Sequence, residues 1–129
     1  MNEFLHAEIT DQILRCAVRV HKELGPGLTE YSYQAALALE MEASLLPFVR
    51  EQPIAVRYRG VVVGWHRPDF IVASAVVVEL KAVTNMDPVF AKQVLTYLKV
   101  SRLRVGLLLN FNVSRMTDGI RRLLNTKPK

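Results

Sequence analysis

Only one cysteine, Cys16, occurs in the 129 residues, so no internal disulfide can form. Stability must come from a packed core, and a reducing cytoplasm is the expected compartment. No apolar run is long enough to span a bilayer, so no membrane partner is expected. The first residues, Met1-Asn2-Glu3-Phe4-Leu5-His6, lack the basic and apolar blocks of a secretory signal. Aromatic residues make up 8% of the chain and nowhere form a platform for stacking unpaired bases. Acidic residues are outnumbered, 12 against 17 Lys and Arg, which leaves a net charge of +5. A basic surface favours an anionic partner such as nucleic acid, although many small basic proteins bind none. The histidines and the lone cysteine show no zinc-ligand spacing. Apolar residues, by contrast, make up 50% of the chain, enough for a single domain over residues 1–129 with its own core.

Apolar residues recur at helical spacing from Glu8 to Leu24, at Ile9, Ile13, Ala17, Val20 and Leu24. Gly25-Pro26-Gly27 breaks that helix, and Thr29 is an N-cap for a second, from Glu30 to Leu46, ended by Pro47. The period then shortens. Phe48 to Gln52, Ile54 to Tyr58 and Val61 to Trp65 read as strand pieces, with a tight turn at Arg59-Gly60. Asp69 to Val72 and Ala75 to Ala82 are further strand, joined across Ala73-Ser74. A helix from Pro88 to Ser101, a strand from Arg104 to Asn110 and a short helix from Met116 to Leu124 complete the chain. The strands that are close in sequence should form an antiparallel meander, and the last strand, reached through a helix, should pair in parallel. The expected class is α/β, a mixed sheet flanked by helices.

The most informative residues lie in the middle. Val76-Val77-Val78 reads as a buried strand that runs into Glu79-Leu80-Lys81. Alternation places Val77, Glu79 and Lys81 on one face and Val76, Val78 and Leu80 on the other. A carboxylate and an ammonium on a core strand are expensive to desolvate without a partner. Nine residues separate Asp69 from Glu79, and a neighbouring strand could bring the two carboxylates together. Two carboxylates converging with a lysine can hold a divalent metal and activate a water. Each residue also has a plainer account. Asp69 could cap a turn, Glu79 and Lys81 could pair at an exposed edge, Glu30 could complement the helix dipole, and Tyr97 could be a core aromatic. Arg67 could meet a phosphate or stay in an exposed loop. His6 and His21 read as surface or helix-flank residues, and Cys16 as a small buried apolar residue.

Pro68-Asp69 with Glu79-Leu80-Lys81 resembles the signature of the PD-(D/E)XK nuclease superfamily. Gln93-Val94-Leu95-Thr96-Tyr97 fits its QxxxY motif, and Gly27-Leu28-Thr29-Glu30-Tyr31-Ser32-Tyr33 fits GxxExxY, which names a family of small proteins within it. The resemblance runs from about Ile13 to Leu124. It implies a restriction-endonuclease-like core and Mg²⁺-dependent phosphodiester hydrolysis, with Mn²⁺ as a substitute. By the same resemblance Asp69 and Glu79 would be metal ligands, helped by the backbone carbonyl of Leu80. Lys81 would orient the attacking water and offset developing charge. Gln93 and Tyr97 would line the site, and Glu30 would reach in as a further metal-site carboxylate. The implied partner is nucleic acid, DNA ahead of RNA. The alternatives are a nuclease fold that grips nucleic acid without cutting it, and a protein-interaction subunit. A homodimer is compatible with any of these.

Overall fold

The first turn of the first helix follows a left-handed residue, His6, and its apolar stripe then commits the chain to α1 (Ala7–Leu24). The computed structural model describes residues 5–126. Ile13, Ala17 and Val20 of α1 are buried against the sheet, as their spacing requires. After the glycine-rich break, Thr29 caps α2 (Glu30–Ala43) by accepting the Ser32 amide at 3.4 Å. This helix stops three residues short of the expected Leu46, before Pro47 can act. Leu45 turns left-handed, and the Leu46 amide closes back on the Met41 carbonyl at 2.9 Å. That closure satisfies the final carbonyls and buries Leu46 in the core.

The remaining elements are β1 (Phe48–Arg50), β2 (Ile54–Tyr58), β3 (Val61–His66), β4 (Phe70–Val72), β5 (Val76–Lys81), α3 (Pro88–Ser101), β6 (Val105–Asn110), a 3₁₀ turn (Met116–Gly119) and β7 (Ile120–Leu124). The main sheet has the order β1-β4-β5-β6-β7. Its β5–β6 pair is parallel, as the helical crossover demands, and its other pairs are antiparallel. Helices α1 and α2 cover one face, over Val76, Val78 and Leu80, and α3 covers the other, over Val77. Strand β6 is buried at every position, so its residues contribute to both layers. No helix among the described residues is long and apolar enough to cross a membrane.

Three expectations need correction. Strands β2 and β3 do not join the meander. They pair only with each other, as a hairpin inserted between β1 and β4. The segment from Met116 to Leu124 is helical only over the 3₁₀ turn Met116–Gly119, and Ile120–Leu124 is strand. Leu123 points to the α3 layer while Ile120 and Leu124 pack on the other, which is strand alternation. Pairing with β7 satisfies the buried amides of β6 that a helix would leave unmatched. His21 is buried rather than superficial, with Nε2 on the Val113 carbonyl at 2.8 Å. Cys16 is buried as expected.

The path into β7 depends on Gly119, where a Cβ would run into the backbone oxygen of Asn110. Backbone cannot rotate away as a side chain can. Gly119→Ala is expected to cost ~1–3 kcal/mol in urea denaturation, as for other overpacked sites. Gly64→Ala, where a Cβ meets open space, should change stability by less than ~0.5 kcal/mol. Equal effects at the two positions would contradict this account of the β6–β7 junction.

Candidate active site

The β4–β5 turn builds the site. Three residues, Ala73-Ser74-Ala75, join the strands: Ala73 and Ser74 both adopt positive φ, 53° and 54°, and the Ala75 amide closes on the Val72 carbonyl at 2.9 Å. Such a turn leaves no freedom of register: Val72 faces Val76, Ile71 faces Val77 and Phe70 faces Val78. One step further, Asp69 lies beside Glu79, and the Asp69 amide donates to Glu79 Oε1 at 3.1 Å. The two carboxylates are therefore neighbours as a consequence of turn length alone. Glu79 and Lys81 emerge on the α3 face of β5, as alternation requires.

Asp69 is held from two sides. Its Oδ2 accepts the Leu80 amide at 2.7 Å, and its Oδ1 accepts Gln34 Nε2 at 2.7 Å. Gln34 is itself fixed, because Arg50 Nη2 donates to its Oε1 at 2.8 Å and Glu51 Oε2 shares its amide at 3.3 Å. The left-handed Glu51 also donates its own amide to the Asp69 carbonyl at 3.1 Å. Burial raises the Asp69 pKa, while the Leu80 amide, Gln34 and Lys81 oppose that rise. Glu79 is less well compensated. Burial first, then the Asp69 charge, push its pKa from 4.5 up to about 8, against the Asp69 amide and Lys81. A hydrogen bond to a charged group contributes roughly 1.5–3 kcal/mol. Two short donors on Asp69 against one longer donor on Glu79 leave Glu79 the less compensated of the two, although burial raises both.

The other expected residues gather unequally. Lys81 Nζ lies 4.4 Å from the centre of the Phe90 ring, and neither it nor the two carboxylates joins an ion pair among the described residues. Tyr97 is buried, with its ring against His66 at 4.8 Å, and its pKa is raised by burial, by Glu79 and by Asp69. Gln93 is half-buried one helical turn before Tyr97 and has no hydrogen-bond partner among the described residues. Glu30 stands exposed at the start of α2 and is felt at Glu79 through its charge. The GxxExxY tyrosine, Tyr33, has an architectural place. It stacks on Phe111 at 4.7 Å, donates to the Gly25 carbonyl at 2.5 Å and accepts the Leu28 amide at 3.1 Å, which pins the loop that starts α2.

A family model described as the PD-(D/E)XK nuclease superfamily matches residues 7–123. The chain belongs to the PD-(D/E)XK nuclease superfamily. No curated protein and no solved structure matches it significantly. The mixed sheet with helices on both faces is the restriction-endonuclease-like fold of this superfamily, whose nucleases are generally dependent on divalent metal.

The donors of this PD-(D/E)XK fold suit such an ion. Two crowded carboxylates, one held neutral by its surroundings, are short of positive charge. No group of three His, Cys, Asp or Glu side chains able to hold a metal occurs among the described residues. Carboxylate oxygens are donors of the kind a hard cation takes, and such an ion keeps much of its own water. Sequence reasoning missed Gln34, Arg50 and Glu51. The available signal was the position of Gln34 four residues after Glu30, on the same helical face as the motif carboxylate.

The raised pKa of Glu79 makes a signed prediction for the metal-free protein. The unfolded chain loses the proton near pH 4.5 and the folded chain near 8, so stability present below pH 4.5 is lost as pH rises through about 8. Scanning calorimetry in a chelator should give a Tm that falls over this window. Glu79→Gln should flatten the profile and melt higher than wild type at the alkaline end, by about 5 °C. Parallel profiles for the two proteins would contradict the assignment.

Proposed function

We propose that this protein is a metal-dependent nuclease that hydrolyses phosphodiester bonds in nucleic acid, with Mg²⁺ as the ion and Mn²⁺ as a substitute. The observation that carries the reading is the pair of neighbouring, half-buried carboxylates, Asp69 and Glu79, with no compensating cation in ion-pair contact among the described residues. Asp69, Glu79 and the Leu80 carbonyl hold the ion in this reading, and Glu30 adds negative charge from α2. Bound there, a divalent ion supplies Lewis acidity and neutralises phosphate charge.

The chain's own residues do the rest. Gln34, braced by Arg50, keeps Asp69 in one orientation, so that its carboxylate need not reorganise when substrate arrives. Lys81 leaves the Phe90 ring on its flexible stem to orient the attacking water and offset charge on the phosphate. Gln93 and Tyr97, on one face of α3, line the wall opposite the sheet, and Tyr97 is braced by His66. The groove between α1 and α2, bordered by Val20 and Leu39, contains neither carboxylate and has no part in this reading.

Incubation with DNA and RNA in several forms should give cleavage only with Mg²⁺ or Mn²⁺. Asp69→Asn and Lys81→Ala should each lower the rate by at least ~100-fold without unfolding the protein. Gln34→Met, which leaves the ligands in place and removes their brace, should weaken metal affinity or activity ~10–100-fold. Wild-type cleavage that survives both Asp69→Asn and Lys81→Ala would eliminate this mechanism. Salt-sensitive nucleic-acid binding with no cleavage would favour a fold that grips without cutting.

A further inference from the structure

The β2–β3 hairpin has no evident use in the fold. It is absent from the main sheet, and its contact with the body is at its base, where Ile54 pairs with His66 and His66 packs on Tyr97. Beyond that base it is bare. All seven residues from Arg57 to Val63 are exposed. Side chains alternate along a strand, so consecutive exposure means that both faces of the ribbon tip are free. The exposed side chains are unusual for a free tip: Tyr58 is 62% accessible, Val61 63% and Val63 62%, with Trp65 at 58% nearer the base. A two-stranded hairpin is marginal by itself, and apolar side chains presented to water on both faces point to a partner.

Charge identifies the class of partner. Between Glu51 and Asp69 there is no acidic residue, and Arg57, Arg59 and Arg67 give this stretch +3 of the chain's +5. Pairing with the same ribbon of a second copy would bring like charges together, whereas a polyanion would be attracted. Shape narrows the class further. The B-form major groove is about 12 Å wide and admits a two-stranded ribbon, and it presents thymine methyl groups to apolar side chains. The deep, narrow major groove of an A-form RNA duplex does not admit one. A flat platform for unpaired bases would need its aromatics on one covered sheet, not on a ribbon bare on both faces. At about 3.3 Å per residue the bare tip, about three residues on each strand, reaches roughly 10 Å, enough for the groove's depth of about 8.5 Å. Its base adjoins the catalytic wall through the His66–Tyr97 contact, and its last strand leads within three residues to Asp69.

We infer that the β2–β3 hairpin is a recognition arm that enters the major groove of duplex DNA and delivers the adjacent backbone to the Asp69–Glu79 site. The inference rests on the nuclease reading and names its substrate as B-form DNA. Trp65 is the only tryptophan in the chain, so its fluorescence reports on the arm alone.

The test is titration of the full chain with a short DNA duplex in chelator, where no cleavage can occur. Trp65 emission should shift saturably and become at least ~3-fold less quenchable by acrylamide, as the base of the arm is covered. An RNA duplex of the same sequence should give no protection. Arg57→Gln with Arg59→Gln, both on the exposed tip, should weaken DNA binding at least ~10-fold and reduce the log–log salt slope by about 2. Unchanged melting of the double variant would confirm that it folds. DNA binding with Trp65 still fully quenchable, or equal protection by RNA or by single strands, would overturn the inference while leaving the nuclease reading intact. Protection by DNA without any divalent-dependent cleavage would support the arm and defeat the nuclease reading.

Discussion

Two carboxylates that repel one another are kept adjacent by a turn of three residues. Asp69 and Glu79 stand side by side because Ala73 and Ser74 accept left-handed backbone and thereby fix the register of β4 against β5. The strands can hold that register because Val76, Val78 and Phe70 are wholly buried on one side and Val77 on the other. A one-residue slip would move every one of those side chains to the wrong face. The hydrophobic layers thus enforce an electrostatic arrangement that the carboxylates alone would not adopt. The cost appears as a proton retained on Glu79 well above the usual carboxylate range.

The two layers of the fold divide the labour around that pair. The α1–α2 layer supplies rigidity. Tyr33 locks the loop before α2, and that helix carries Gln34 to Asp69 and Glu30 to the vicinity of Glu79. The α3 layer supplies the polar wall, with Tyr97, Gln93 and the Phe90 ring that holds Lys81. Strand β6, buried throughout and paired on both sides, ties the layers together and has no chemistry of its own. The inserted hairpin belongs to neither layer, which is why its exposed apolar and cationic side chains ask for an external explanation.

Much of this was legible in the residues, for local reasons. Helix α3 begins and ends where expected because Asp87 caps it with Pro88 at its first position. The β4–β5 hairpin was expected across Ala73-Ser74, and the structure adds Ala75 to the turn, which sets Asp69 opposite Glu79 rather than Val78. What was hidden depends on pairing. Ile120, Leu123 and Leu124 are spaced much as a helix would space them, and only the open edge of β6 makes them strand. The alternation in β2 and β3 identifies strands but not their sheet, so the hairpin could not be told from the meander. Gln34 looks like any polar helical residue until Asp69, 35 positions away, is brought to it. Tyr58 and Trp65, scattered in the chain, share one ribbon only once it folds.

The central claim is that Asp69 and Glu79 form a site poised for a divalent cation. Calorimetric titration with Mn²⁺ near neutral pH, in two buffers of different ionisation enthalpy, tests it most directly. The account predicts saturable binding accompanied by proton release from Glu79, with both signals lost in Asp69→Asn and the proton release lost in Glu79→Gln. Absence of binding, or binding of equal strength in wild type and Asp69→Asn, would contradict it.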